Sequence, residues 1–315
     1  ISFKFLSYEL NTSIENYTKE FKKSEPVPKN ISSTLMQISS LYEDSKEYEK
    51  AIEYYLYYLT LNPNNDFATA HIGSCYDELN QIDDAIKFYK KAIDLNPHNI
   101  FAVTQCADIL VKKKEDVESA LKVLNDGIQN NPTQPKNTTN ISWLFRLKGE
   151  IYYKKEDFKQ ALDGYNKAIE VDKMIEGAAF IFLRLAIIHY NLDQYKESIK
   201  SFYKCFDLDG ETYKGVYTYY YLAESLKNEK LYEESANYFQ LVLEQINDNY
   251  NPYAYAGLGF VKLKLKDYSS SISAYQKAGK DKWNHQNLGK AFFGLGEYLN
   301  ALNEFNNVIE IDPKY

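Results

Sequence analysis

The side chains that most often carry chemistry are few in this 315-residue sequence and are not gathered. The four histidines, His71, His98, His189 and His285, are scattered, and no pair has the helical spacing at which two imidazoles share a metal ion. His71 and His189 suit packed or surface-facing roles on helices. Two Gly-Leu-Gly triplets, at 257–259 and 294–296, have the composition of a phosphate loop, but neither follows a strand. Acid pairs such as Asp83–Asp84 and Glu233–Glu234 stand where helices would begin, a place that the helix dipole favours for acids. Nothing marks the cleft that a paired-carboxylate active site needs, and no nucleophile stands beside a base. The expectation is a chain that is not an enzyme, with no cofactor, no catalytic residue and no metal site.

Composition narrows the partners. The net charge is −7, and of the 37 basic residues only Arg146 and Arg184 are arginine, so a nucleic-acid footprint is not expected. A hydrophobic share of 44% excludes disorder. Thirty tyrosines suit a fold with a thin core and much surface, because the ring packs while the hydroxyl stays wet. Cys75, Cys106 and Cys205 are odd in number and lie in apolar periodic segments. They read as buried free thiols, which points to a reducing, cytoplasmic setting. No apolar run is long enough to insert in a membrane.

The elements that would position any site repeat themselves. "TLNPNN" at 60–65 returns as "DLNPHN" at 94–99. In the unit 66–99, Ile72, Gly73, Tyr76, Ala85, Tyr89, Ala92 and Pro97 fall where Ile38, Ser39, Tyr42, Ala51, Tyr55, Tyr58 and Pro63 fall one repeat earlier. Leu288, Gly289, Phe292, Ala301, Phe305, Val308 and Pro313 restate them near the end. Spacings of three and four put each apolar set on one helix face. The small residues let two helices approach closely, and the proline ends the second helix. A hairpin this thin cannot bury both faces alone, so the units must stack.

These residues resemble the tetratricopeptide repeat, and the resemblance covers about eight units and nearly the whole chain. It implies an all-α, right-handed α-solenoid (superhelix) of antiparallel helix-turn-helix hairpins. The expected divisions are a partial repeat over 1–30, repeats 1–3 over 31–132, an inter-repeat loop over 133–141, and repeats 4–8 over 142–315 in one continuous solenoid. The third turn, "KKKEDV", is one residue longer than the others, and the seventh unit has a shortened second helix. Leu302, Phe305, Val308 and Ile309 form an apolar face with nothing after it. Further repeats of a longer chain, or a partner at this uncapped end, would cover it.

The resemblance also implies that the first helices line a concave groove that holds a partner's peptide or helix. The second residue of each unit is Ser33, then Phe67, Phe101, Trp143, Phe180, Tyr217, Tyr253 and Trp283. Rings at that phase fill the seam between successive first helices, or offer an aromatic strip to a ligand, or do both. Tyr220 belongs with them. Arg146 and Arg184 fall on neighbouring first helices and suit an acidic group gripped through the guanidinium fork; for Arg146 a pair with Glu150 is the alternative. The clamp with which some relatives hold a chaperone's acidic tail is absent. Glu150 and Arg184 stand in place of its asparagines, and Tyr217 and Tyr221 in place of its lysine and arginine. The leading expectation is a non-catalytic protein–protein interaction scaffold within a multi-subunit assembly. The alternative is a substrate- or peptide-sensing arm of a larger enzyme or regulator.

Overall fold

The period of the sequence predicts paired helices, and the computed structural model describes residues 31–131, 138–173, 175–245 and 249–313. The expected partial repeat over 1–30 lies outside the described residues. Of the expected loop at 133–141, residues 133–137 lie outside them, and 138–141 form the first turn of a helix instead. That helix begins a turn early because Thr138, Thr139 and Asn140 continue its backbone ahead of the first buried residue, Ile141.

Contacts divide the chain into two units, one ending at Ile151 and one beginning at Tyr152. The first contains three hairpins: α1 (Ile31–Asp44) with α2 (Tyr48–Leu61), α3 (Asp66–Glu78) with α4 (Ile82–Leu95), and α5 (Ile100–Lys113) with α6 (Val117–Asn130). The division falls inside α7 (Thr138–Lys154). The second unit continues with α8 (Phe158–Val171) and four hairpins. These are α9 (Ala178–Asn191) with α10 (Tyr195–Tyr213), α11 (Val216–Asn228) with α12 (Tyr232–Glu244), α13 (Asn251–Lys264) with the short α14 (Tyr268–Tyr275), and α15 (Lys282–Leu295) with α16 (Tyr298–Ile311). No strand occurs among the described residues. The architecture is an all-α solenoid of helical hairpins.

Three hairpins close on the same kind of contact. Gly73 on α3 lies under the Tyr89 ring of α4, so a Cβ added there would stand 2.9 Å from the ring. Gly259 meets Tyr275 and Gly289 meets Phe305 in the same way, at 2.8 and 2.7 Å. Covering a ring of this kind contributes about 2–3 kcal/mol, which explains why the second helix carries it at a fixed phase. Where the second helix has serine in place of the usual alanine, the hydroxyl adds a tie. Ser198, Ser235 and Ser271 donate to the carbonyls of Ala186, Ala223 and Gly259 at 2.9, 2.8 and 2.8 Å.

The asparagine-proline segments join one hairpin to the next. Asn62 caps the end of α2 with its N–H on the Tyr58 carbonyl, and Asn65 then accepts from the Ala68 N–H to start α3. Asn96 and Asn99 do the same between α4 and α5. Such an N-cap is worth about 1 kcal/mol. The Asn62 amide also donates to Ser32 Oγ at 3.1 Å, and the Asn96 amide to Asp66 at 2.9 Å, closing the open end of each hairpin.

Between hairpins, Ile52 and Leu59 of α2 are buried against Ala68, Ile72 and Cys75 of α3. The corresponding face of α16 divides differently from expectation. Phe305 turns inward onto α15 and Val308 is buried, while Leu302 and Ile309 are exposed. The reason is that Phe305 is the ring that covers Gly289, so it belongs to the interior of its own hairpin.

The turn inside each hairpin is a left-handed C-cap. Lys46, Asn80, Glu156, Asp193, Lys230 and Lys266 all have φ between 57 and 64°. After Lys46, for example, the Glu47 N–H donates to the Tyr42 carbonyl at 2.9 Å, and Lys46 itself donates to Glu43 at 2.9 Å. The third turn spans one more residue, from Asp116 back to Leu110, around Glu115 at φ 55°. A non-glycine residue in this region costs about 1–2 kcal/mol. Lys230→Gly and Lys46→Gly should therefore each stabilise the protein by about 1 kcal/mol, read as a higher urea midpoint at unchanged slope. A fall in the midpoint would mean that these turns are not left-handed.

Candidate functional site

The first-helix faces carry the residues singled out by the sequence, and each unit arranges them in its own way. In the first unit Phe67 stands on α3, Phe101 on α5 and Trp143 on α7. Phe67 is 53% exposed. One turn after Phe67, His71 places its ring 4.2 Å from Phe67 and 5.2 Å from Phe101, so the histidine bridges the rings of two successive first helices. Behind it, Nδ1 of His71 lies 2.9 Å from a Glu43 carboxylate oxygen, and the Tyr55 hydroxyl donates to the same carboxylate at 2.8 Å. The aromatic residues thus pack across the seam on one edge and stay open on the other. Beside them, Asp66, Phe67, Phe101, Thr104, Gln105 and Trp143 help to line an open pocket of about 890 Å³. Arg146 lies over the Trp143 ring at 4.4 Å.

In the second unit the Arg184 guanidinium sits between two rings, 4.4 Å from Tyr153 and 4.7 Å from Phe180. On α11, Tyr217 packs against Tyr221 at 4.8 Å, and Tyr220 against Tyr250 at 5.2 Å. Burial raises the Tyr217 and Tyr220 pKa values, so their hydroxyls stay protonated and remain donors at any physiological pH. Tyr253 on α13 is 64% exposed and Trp283 on α15 is 56% exposed, with Lys282 over the Trp283 ring at 5.2 Å.

Several neighbours of these residues were not singled out by sequence. Tyr221, which the sequence marked only by its place in the absent clamp, lies one turn after Tyr217, and Tyr153 lies two turns after Arg146, so helical spacing points to both. Glu43 was hidden by its distance in sequence, 28 residues from His71.

The remaining chemistry-bearing residues have structural places. Gly257 lies against Phe239, Gly294 against Tyr268, and Gly296 ends α15 at φ 88°. His285 pairs with Glu304 at 2.6 Å, and His189 with Gln194 at 2.7 Å. Asp83–Asp84 and Glu233–Glu234 lie in the first turns of α4 and α12. Cys75, Cys106 and Cys205 are buried, and burial pushes their thiols up to about 12, 11 and 11. Among the described residues no cluster of three His, Cys, Asp or Glu side chains is placed to hold a metal ion. No helix among them is long and apolar enough to cross a membrane.

Comparison with known families finds tetratricopeptide repeats at residues 32–65, 69–99 and 284–315. Residues 119–218 match a family described as an uncharacterized protein conserved in bacteria. Comparison with curated proteins finds no match. Among solved structures, the chain is similar to the C-terminal part of a TPR repeat-containing protein from Cytophaga hutchinsonii. The two are 16% identical with a TM-score of 0.51, over 89% of this chain and 96% of that one. It is also similar to PilW, a widely conserved type IV pilus biogenesis factor, at 15% identity and a TM-score of 0.51, over 74% of this chain and 99% of that one. At these identities the likeness is one of fold.

The Glu43–His71 pair makes a prediction about acid stability. Burial raises the Glu43 pKa, but the hydrogen bond and charge of His71, with the Tyr55 and Ser74 hydroxyls, outweigh it and hold the carboxyl below 4.5. A carboxylate with a depressed folded pKa contributes stability above the unfolded value, and that stability is lost as pH falls through the folded one. Urea midpoints should therefore fall below about pH 4.5 more steeply in the wild type than in Glu43→Gln. Equal slopes in the two proteins would remove Glu43 from the account.

Proposed function

Because the chain belongs to the tetratricopeptide-repeat superfamily, we propose that it is a non-catalytic scaffold that binds a segment of a partner protein on its first-helix faces. The observation that carries this reading is the aromatic residue near the start of successive first helices. Phe67, Tyr253 and Trp283 keep more than half of their surface open to solvent, and Phe101 and Tyr217 more than a third. Large rings left half-bare at one repeating position cost solvation and return nothing to the hairpin interior. They are the usual anchors of protein recognition, since a rigid ring buries much area at little entropic cost.

The arginines support the same reading. Arg146 and Arg184 both rest on aromatic faces, which fixes the plane of each guanidinium beside the rings of this surface. The buried thiols, with pKa values raised by their surroundings, are unsuited to nucleophilic chemistry. Assembly into a larger complex is part of this proposal, and the identity of the assembly is a matter for experiment.

Replacement of Trp143, Phe180 and Tyr217 together by alanine should abolish capture of the partners that co-purify with the wild-type chain, while the helical circular dichroism stays intact. An unchanged set of co-purifying proteins would refute the surface.

A further inference from the structure

The open pocket of the first unit combines aromatic rings with a single fixed charge. Phe67, Phe101 and Trp143 supply rings to its lining, and no lysine or arginine lies among the lining residues. Asp66 carries the charge. The amides of Asn96 and Asn99 both donate to its Oδ2, at 2.9 and 2.7 Å, and among the described residues its Oδ1 accepts no hydrogen bond. The carboxylate is thus fixed through one oxygen and available through the other.

The field around the pocket does not override that charge. α5 begins in the pocket wall, and its N-terminal dipole opposes a cation. α4 ends at Asn96 beside Asp66, and α6 ends at Asn131 in the lining. Neither has a basic residue in its last turn, so their dipoles favour a cation and offset that of α5. His98 is the other titratable group of the lining, and it is exposed. Behind the rings His71 faces Glu43 at 2.9 Å, so a proton on His71 is matched by that carboxylate.

The rings offer a prepared platform. Phe67 and Phe101 are 53% and 40% exposed, and the His71 ring stands 4.2 Å from the first and 5.2 Å from the second. Arg146 lies over Trp143 at 4.4 Å, and its charge directs a second cation to the Asp66 side, over Phe67 and Phe101. Arginine suits that place better than lysine. A planar guanidinium lies flat on a ring while its edge donates to a carboxylate oxygen, whereas an ammonium is a compact, strongly hydrated point charge.

Resting on the reading of the first-helix faces as a binding surface, we propose that this pocket takes an arginine side chain of the partner segment, its guanidinium on Phe67 and Phe101 and one N–H on Asp66 Oδ1.

The test is fluorescence anisotropy of the full chain with a labelled heptapeptide of glycine and serine that carries one arginine at its centre, taken to millimolar concentration. Saturable binding, displaced by the unlabelled peptide, is expected. It should weaken about tenfold when citrulline, planar but uncharged, replaces the arginine, and by as much in Asp66→Asn. Asparagine still accepts from Asn96 and Asn99, so that variant removes the charge and keeps the joint; if it fails to fold, the citrulline comparison stands without it. Phe67→Ala should weaken binding about fivefold, at a side chain exposed enough to leave the fold alone. Equal binding of the citrulline peptide, an arginine preference that survives Asp66→Asn, or indifference to Phe67→Ala overturns the inference. A leucine counterpart that binds better and is weakened by Phe67→Ala also overturns it but leaves the binding surface standing. If no peptide binds, the inference falls; the surface reading falls with it only if the alanine triple variant also keeps its partners.

Discussion

Everything in this molecule follows from how closely two helices of one hairpin can approach. A ring on the second helix lies on a residue with little or no side chain on the first, as Tyr89 does on Gly73 and Phe305 on Gly289. The contact leaves no room for a larger residue, because a Cβ at Gly289 would already stand 2.7 Å from the ring. It also makes the hairpin thin, so that residues such as Ile52 and Leu59 are left on its outer side and are buried only by the next hairpin. Stacking is the consequence of that thinness.

Much of this was legible because the constraint acts on residue type at a fixed phase. A glycine or alanine followed sixteen residues later by Tyr or Phe can be read in the sequence, and so can the asparagine-proline joints. The left-handed turns were not legible. Glycine is the usual mark of such a turn, yet Lys46, Glu156, Asp193 and Lys230 occupy these positions. The closing hydrogen bonds onto Tyr42 and its equivalents, together with helix packing on both sides, impose the conformation against local preference. The α16 face was misjudged for a related reason. Helical spacing groups Leu302, Phe305, Val308 and Ile309 but does not say which belong inside the hairpin.

The first-helix faces follow a different logic. The types and phase of Phe67, Phe101, Tyr217 and Tyr253 stood out in the sequence, but their mutual geometry did not. His71 proves to be the link between Phe67 and Phe101, and it is held from behind by Glu43 of the preceding hairpin. Arg184 proves to be sandwiched by Tyr153 and Phe180. Such arrangements join residues of different helices, and a single sequence carries no record of which ring lies on which.

These two sets of residues barely overlap. The closing pairs face the interior of a hairpin, and the hairpin-to-hairpin contacts use the outer faces of the second helices. The exposed rings of Phe67, Tyr253 and Trp283 contribute little to either. A ring removed from such a place costs the fold a few tenths of a kcal/mol, whereas a closing ring removed costs about 3–5 kcal/mol. The first-helix face can therefore be shaped toward a ligand without loosening the stack, while the stack fixes the distance between one ring and the next. The rings on this surface inherit their spacing from close approaches within hairpins, such as that of Gly73 and Tyr89.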